Sequence, residues 1–206
     1  MEGALIILSS PSGAGKTTLV KKLSNLYNFE ISISYTTRIP RINEINGQDY
    51  FFVNEEDFKK LVNNEELLEY AKVFNNFYGS SKKKVFKLLE NGKNVLFDID
   101  WQGTNQIKKH NLKFKLITFF ILPPSKKTLL NRLAERENNK EEIINERMKK
   151  FEDDVKHWED YDYVVINDNL EICIQEIKDL IDSELKKQKK SFDKSKINEH
   201  VKSLIN

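Results

Sequence analysis

The chain opens with a short apolar run at residues 4–8, a polar stretch containing Gly13 and Gly15, and then Leu19, Val20, Leu23 and Leu26 at helical spacing. An apolar run bounded by turn residues predicts a buried strand, and the spacing after it predicts a helix over 17–26 with those four side chains on one face. Phe29, Ile31 and Ile33 alternate with polar residues as a second strand, whereas 34–49 lacks any period and carries Pro40 and Gly47, predicting an exposed functional loop. Residues 50–53 read as a short strand, Asn54 as the cap of a helix whose first turn holds Glu55, Glu56 and Asp57, and 67–74 as extended structure. Together these make a small mixed insertion.

The pattern then returns to a regular alternation. A helix over 82–90 stops at Asn91-Gly92, an apolar strand follows at 95–99 between Asn94 and Asp100, and another apolar strand spans 116–122. Pro123-Pro124-Ser125 opens a helix running through Leu133, a further helix covers 141–151, and Tyr163 to Ile166 supply one more strand. Strands alternating with helices predict an α/β fold with a mainly parallel sheet, whose ligands gather at the carboxyl ends of the strands. Ser9, Ser34 and Asp98 fall there. From Lys186 onward the chain is rich in lysine, with a weak helical pattern near Val201, Leu204 and Ile205, and reads as a solvated tail. No internal repeat is apparent.

Composition narrows the partners. With 206 residues and 39% hydrophobic content the chain buries one sizeable core, which favours a single catalytic domain with insertions. A net charge of +2 argues against nucleic acid or an anionic membrane as the main partner. The opening apolar run is far short of the roughly 20 residues that cross a bilayer. The single cysteine, Cys173, permits no intrachain disulfide and suits a reducing cytoplasm, and Ile172-Cys173-Ile174 suggests helix packing. His110, His157 and His200 lack metal-ligand spacing. Only five of the 34 basic residues are arginine, Arg38, Arg41, Arg132, Arg136 and Arg147, so each is a candidate for the planar, two-pronged grip on phosphate or carboxylate that lysine cannot make.

Ser10-Pro11-Ser12-Gly13-Ala14-Gly15-Lys16-Thr17 fits the phosphate-loop pattern G-x-x-x-x-G-K-[ST] except that Ser10 stands at the first glycine position. Gly13 and Gly15 still let the backbone approach phosphate, Lys16 can reach the β- and γ-phosphates, and Thr17 can hold Mg²⁺ at the start of a helix. Such a loop serves kinases, GTPases and motor ATPases alike. The absence of an Asn-Lys-x-Asp base-reading motif counts against the GTPase reading.

The acceptor side is more specific. Ser34-Tyr35-Thr36-Thr37-Arg38-Ile39-Pro40-Arg41 is followed by Gly47, Tyr50, Glu69 and Tyr78-Gly79-Ser80, and later by Asp98-Ile99-Asp100-Trp101-Gln102-Gly103. These segments resemble the guanylate kinase family, and the resemblance extends to about Lys186. It implies a P-loop nucleoside monophosphate kinase fold: a core of 1–33 and 81–185 with a helical lid at about 126–150, a GMP-binding insertion at 34–80 and a tail at 186–206. It also implies transfer of the γ-phosphate of ATP to GMP, and to dGMP, with Mg²⁺ and no covalent intermediate.

Residue by residue, the resemblance implies that Ser12, Gly13, Ala14, Gly15, Lys16, Thr17, Thr18, Arg136, Asn167 and Asp168 bind ATP. Ser34, Arg38, Arg41, Tyr50, Glu69, Tyr78, Ser80 and Asp100 are implied for GMP. Lys16, Arg38, Asp98, Arg132, Arg136 and Arg147 carry catalysis, with Arg136 on the adenine side and Arg132 and Arg147 on phosphate, while Thr17 and, through water, Asp98 hold the metal. The division of work between Asp98 and Asp100 stays open. Elementary chemistry agrees: two arginines and two tyrosine hydroxyls suit a monophosphate, and one carboxylate can accept both adjacent donors of guanine, N1–H and the exocyclic amine, while serine hydroxyls donate to O6. The chain departs from the family in having Glu135 and Glu137 beside the middle lid arginine, where glycine is common, which bears on lid motion. A kinase for another small phosphorylated acceptor and a noncatalytic interaction module are the rival readings, and self-association is left open.

Overall fold

All six residues of strand β1, Ala4–Ser9, are buried, as an apolar run bounded by turn residues requires. The structure, a computed structural model, describes residues 2–137, 139–188 and 193–205. The other elements are α1 Lys16–Tyr27, β2 Glu30–Ile31, β3 Tyr35–Thr36, β4 Phe51–Phe52, α2 Glu55–Asn63, β5 Leu67–Val73, β6 Asn76–Ser81, α3 Lys82–Glu90, β7 Val95–Asp98 and α4 Trp101–Lys109. They continue with β8 Lys115–Leu122, α5 Lys126–Arg136, α6 Glu141–Val155, a 3₁₀ turn at Lys156–Asp160, β9 Tyr163–Ile166, α7 Leu170–Leu185 and α8 Ser195–Ile205. A five-stranded sheet has the order β2-β7-β1-β8-β9, with β2 parallel to β7 and β8 parallel to β9. This is the expected α/β fold with a mainly parallel sheet. The chain divides into a first unit of Met1–Ile7 and Asn28–Leu116 and a second of Leu8–Tyr27 and Ile117–Asn206.

In the first unit, Val95 and Phe97 of β7 pack in one apolar cluster with Val85 and Leu89 of α3 and Ile107 of α4. The same unit holds a four-stranded sheet of order β4-β3-β6-β5, in which β3 and β4 are parallel and both pairings of β6 are antiparallel. Phe74 and Asn75, at φ 45° and 64°, close the β5–β6 hairpin, the two left-handed residues that a tight turn of the primed type demands. The extended run expected to reach Phe74 therefore ends at Val73. Sequence pattern missed β6, because Asn-Phe-Tyr-Gly-Ser-Ser shows no apolar alternation. It also missed α4, whose nine residues include a glycine and few apolar side chains. The signal for α4 lies in its cap: Asp100 accepts from the backbone N–H groups of Gln102 and Gly103 at 3.0 and 3.1 Å.

In the second unit, Leu19, Val20 and Leu23 of α1 are buried as expected, but Leu26 is 60% exposed. It sits at the rim of the stripe in the last turn, where the helix has little left to pack on. Asp162 clips the start of β9 to β8 by accepting from the backbone N–H and hydroxyl of Thr118, at 2.9 and 2.8 Å.

The largest correction concerns the segment expected to be a solvated tail. It carries α8, and Ile197, Val201 and Leu204 are buried in one cluster with Phe120, Leu133 and Trp158. His200 Nε2 lies 2.9 Å from the Pro123 carbonyl oxygen, and Lys194 donates to the Glu159 carbonyl at 2.8 Å. Apolar residues at i, i+4 and i+7 give this short helix a continuous stripe, which lysines on the other faces concealed in the composition. Residues 189–192 of the expected tail lie outside the described residues. Among the described residues no helix is long and apolar enough to cross a membrane.

Two outcomes follow from this packing. Leu204 is fully buried, so Leu204→Ala is expected to cost about 2–4 kcal/mol in denaturant unfolding, whereas a solvated tail would give no change. Cys173 lies buried on α7, and burial, helped by the charge of Glu176, pushes its thiol up to about 12. A thiol reagent at pH 8 is expected to leave the native protein unlabelled and to label it stoichiometrically once unfolded.

Candidate functional site

Two groups of polar side chains hold the residues singled out in the sequence. The first is the loop between β1 and α1. Gly13 and Gly15 adopt φ of 89° and 94°, left-handed values that side chains other than glycine rarely take. Lys16 opens α1, with the exposed Thr17 and Thr18 behind it in the first turn, where backbone N–H groups lack helical partners and favour an anion.

The loop is fixed from behind by other parts of the second unit. The Ala14 carbonyl accepts from Asn167 Nδ2 at 2.8 Å and from Arg132 Nη1 at 3.5 Å, and Arg132 Nη2 donates to the Asn167 carbonyl at 3.3 Å. A Cβ on Gly15 would stand 2.3 Å from Asn167 Nδ2, so glycine is required there for approach as well as for conformation. Arg147 donates to Ser12 Oγ at 2.7 Å and pairs with Glu137 at 3.0 Å, while Arg136, more exposed, lies 3.5 Å from the same carboxylate oxygen. Asp168 follows Asn167 and is exposed. The loop residues, Asn167, Arg132 and Arg147 are thus brought together.

The second group belongs to the first unit. Glu69 on β5 is 3% exposed, and its Oε1 accepts from Ser80 Oγ at 2.7 Å; Ser34 Oγ lies 3.4 Å from the Ser80 hydroxyl. A buried carboxylate beside two hydroxyls offers acceptors and donors in the arrangement that a purine edge bearing both can match. Nearby in the sequence, Arg38 stacks over Tyr50 and Phe52, with centroid distances of 5.3 and 5.9 Å, and the Tyr50 and Tyr78 rings meet edge-on at 6.0 Å. Burial raises the Tyr50 phenol well above its ordinary range, and the charge of Asp98 adds to this, so the hydroxyl remains a proton donor at every physiological pH. Asp98 and Asp100 flank the buried Ile99, and Asp100 is engaged in capping α4. Arg41 is the most exposed of this set, half open to solvent.

Sequence reasoning missed Glu44. It accepts from Arg38 Nη2 and from the Arg41 backbone N–H, each at 2.8 Å, and so ties the loop's two arginines together. Burial alone would raise the Glu44 carboxyl, but these bonds more than offset it and hold it below the usual carboxylate range. Burial likewise pulls the Arg38 guanidinium down, and its bonds to Glu44 and the neighbouring Tyr78 win, leaving it raised. The spacing of Arg38, Arg41 and Glu44, three residues apart in an aperiodic loop, was the available signal. Glu137 was noticed as bearing on lid motion, but its position between Arg136 and Arg147 was not legible.

A parallel α/β fold whose first strand feeds a glycine loop and a lysine-led helix places the chain among the P-loop nucleotide-binding proteins. The guanylate kinase family model matches residues 2–184. The guanylate kinase of Buchnera aphidicola subsp. Schizaphis graminum is 43% identical over 186 residues, 89% of each chain, and that of Ruegeria pomeroyi is 44% identical over 203 residues, 98% of this chain and 94% of the other. The crystal structure of guanylate kinase from Anaplasma phagocytophilum aligns with a TM-score of 0.74 at 35% identity, covering 89% of this chain and 86% of that one. The chain belongs to the guanylate kinase family.

The anchoring of the loop gives a direct test. Asn167→Ala leaves the buried Ala14 carbonyl with the long contact from Arg132, and is expected to cost about 1–3 kcal/mol in denaturant unfolding. A change below ~0.5 kcal/mol would mean that this bond is not what fixes the loop.

Proposed function

We propose that the protein catalyses transfer of the γ-phosphate of ATP to GMP, giving ADP and GDP, and that it accepts dGMP. The observation that carries this reading is the buried Glu69 carboxylate held beside Ser80 and Ser34. Glu69 accepts N1–H and the exocyclic amine of guanine while the Ser34 hydroxyl, joined by that of Ser80 once it turns from Glu69 Oε1, donates to O6; adenine presents no such pair of donors. Asp100 reaches the base edge from the N-cap of α4. Arg38, Arg41, Tyr50 and Tyr78 take the monophosphate, whose two negative charges displace Glu44 from part of its contact with the arginines. No group is assigned to the ribose 2′-hydroxyl, so dGMP is expected to serve as an acceptor.

On the donor side, Ser12, Gly13, Ala14, Gly15, Thr17 and Thr18 line the triphosphate with their backbone N–H groups and hydroxyls, and Lys16 bridges the β- and γ-phosphates. Arg132 and Arg147 stabilise charge spread over the transferring group, Arg136 lies on the adenine side, and Asn167 and Asp168 border the nucleoside. Functionally, 34–80 forms the GMP insertion, 126–150 the lid, and 1–33 with 81–185 the core. The GMP phosphate oxygen attacks in line and no enzyme intermediate forms, so the chain's task is to orient both phosphates and exclude water.

Among the described residues no cluster of three or more acidic, histidine or cysteine side chains could cage a metal ion. Hard oxygen donors of the kind Mg²⁺ takes are present in the Thr17 hydroxyl and the Asp98 carboxylate, and an ion held mainly by substrate phosphates and water needs no more. Thr17 would bind it directly and Asp98 through water. Mg²⁺ bound with ATP would neutralise charge on the β- and γ-phosphates. ATP and GMP are the proposed partners, and their supply places the protein in the cytoplasm, where its one thiol stays reduced.

Coupled measurement of ADP formation with GMP, dGMP, AMP, CMP or UMP as acceptor tests the reading. Turnover is expected with GMP and dGMP, at a kcat/KM at least ~10³-fold above AMP, as for sites that leave mismatched polar groups unpaired. Lys16→Ala is expected to abolish it. ATP binding without turnover on any acceptor, or preference for a pyrimidine, would overturn the proposal.

A further inference from the structure

Glu69 is buried at the edge of a sheet, on a strand that its neighbour does not hold evenly. In the order β4-β3-β6-β5, β5 has a partner on one side only, and its register with β6 shifts between Leu67 and Glu69. The irregularity falls at Leu68, the residue before Glu69, which is buried beside it although successive strand residues should face opposite ways; from Glu69 onward the alternation is regular. Pairing with β6 and the bond from Ser80 hold Glu69 from one side, next to the bulge, and leave the opposite edge of β5 to be held by something else.

The other edge of β5 is held by side chains of α4. Gln106 acts as a strand neighbour would: its Oε1 accepts from the Tyr70 backbone N–H at 3.1 Å, and its Nε2 donates to the Tyr70 carbonyl at 2.6 Å. His110, one turn further along the same face, places Nε2 2.9 Å from the Leu68 carbonyl. One helical turn spans about 5.4 Å and two strand residues about 6.8 Å, close enough for residues four apart on α4 to meet residues two apart on β5. Tyr70 and Leu68 are the two chain neighbours of Glu69, so these contacts grip the strand on either side of it.

The same face of α4 meets the carboxylate itself. Gly103 is three residues before Gln106, and a Cβ there would lie 2.3 Å from Glu69 Oε2 and 3.0 Å from its carboxyl carbon. Oε1 is bound to Ser80. The carboxylate is thus set between a hydroxyl on one side and the bare helix backbone on the other, with Gln106 keeping that backbone at its distance.

We propose that Gln106, through its two-pronged bond to the Tyr70 backbone, is the positioning residue that aims the Glu69 carboxylate and so sets the protein's discrimination between guanine and hypoxanthine. The proposal rests on the assignment of Glu69 to the guanine edge. Guanine and hypoxanthine share N1–H and O6 and differ in the exocyclic amine, so a carboxylate turned away from that amine loses selectivity while it still accepts from N1–H.

The test compares kcat/KM for GMP and IMP in the full chain and in Gln106→Ala, Gln106→Glu and Glu69→Gln, with thermal unfolding of each. Gln106→Ala is expected to raise KM for GMP about tenfold and to lower the GMP-to-IMP ratio about tenfold, the scale of one lost charge-assisted hydrogen bond, with kcat at saturating GMP within about threefold. Gln106→Glu keeps the acceptor for Tyr70 N–H and loses the donor to its carbonyl; it is expected to fall between, and it carries the test alone if the alanine variant does not fold. An unchanged ratio in the folded variants, with or without a fall in melting temperature, overturns the proposal. If Glu69→Gln also leaves the ratio unchanged, it is the assignment of Glu69 to the base that fails.

Discussion

The carbonyl of Ala14 has to be satisfied from inside the protein. A loop that turns its N–H groups outward to an anion turns its carbonyls back, and a buried carbonyl without a donor costs free energy comparable to a lost hydrogen bond. Asn167 Nδ2 and Arg132 Nη1 meet that need, and Arg132 ties itself to the Asn167 carbonyl as well. The contact joins the loop to the end of β9 and to the middle of α5. Gly15 then cannot be any other residue, because Asn167 occupies the space of its missing side chain. The parallel pairing of β8 with β9 delivers Asn167 to this place through the bond from its own N–H to the Leu122 carbonyl at 2.8 Å. Strand pairing, loop conformation and the direction of the helix dipole are therefore consequences of one another.

The first unit solves a related problem with a charge in place of a carbonyl. A carboxylate as buried as Glu69 is costly unless hydrogen-bonded, and Ser80 directly across the hairpin supplies a donor. That opposition depends on the tight Phe74–Asn75 turn, which sets the register of β5 against β6. The Glu69–Ser80 side of the proposed base-reading edge thus depends on backbone geometry in a two-residue loop some distance along the chain.

Much of this was legible in the sequence where physics acts locally. Apolar runs gave β1, β7, β8 and β9, and glycine spacing gave the phosphate loop, because both patterns follow from the backbone's own constraints. Helix α4 escaped because its packing face consists of Gly103, Thr104, Ile107 and polar groups that bond to a strand, and hydrophobic periodicity does not register such a face. Strand β6 escaped for a similar reason, being held by pairing on both sides and by the bond from Ser80 to Glu69. Helix α8 was hidden by the lysines around it, and its three buried side chains acquire meaning only against a core built from residues 120–164. Glu44 and Glu137 were invisible as partners because the sequence gives charges without saying which of several near neighbours each will meet.

Those two glutamates share a physical logic. Four of the five arginines already hold a carboxylate, Glu44 for Arg38 and Arg41, Glu137 for Arg136 and Arg147, and of these the reading assigns Arg38, Arg41 and Arg147 to phosphate and Arg136 to the adenine side. Guanidiniums as withdrawn from water as those of Arg38 and Arg147 would be costly with nothing to bind, so an internal anion both satisfies them and holds their planes. An incoming phosphate then takes over part of the glutamate's place, at groups already oriented. It does not have to strip water from mobile side chains. Lysine would not serve as well at these positions: an ammonium offers its three donors from a single point, whereas the planar guanidinium can keep its glutamate with one edge and offer another to a phosphate.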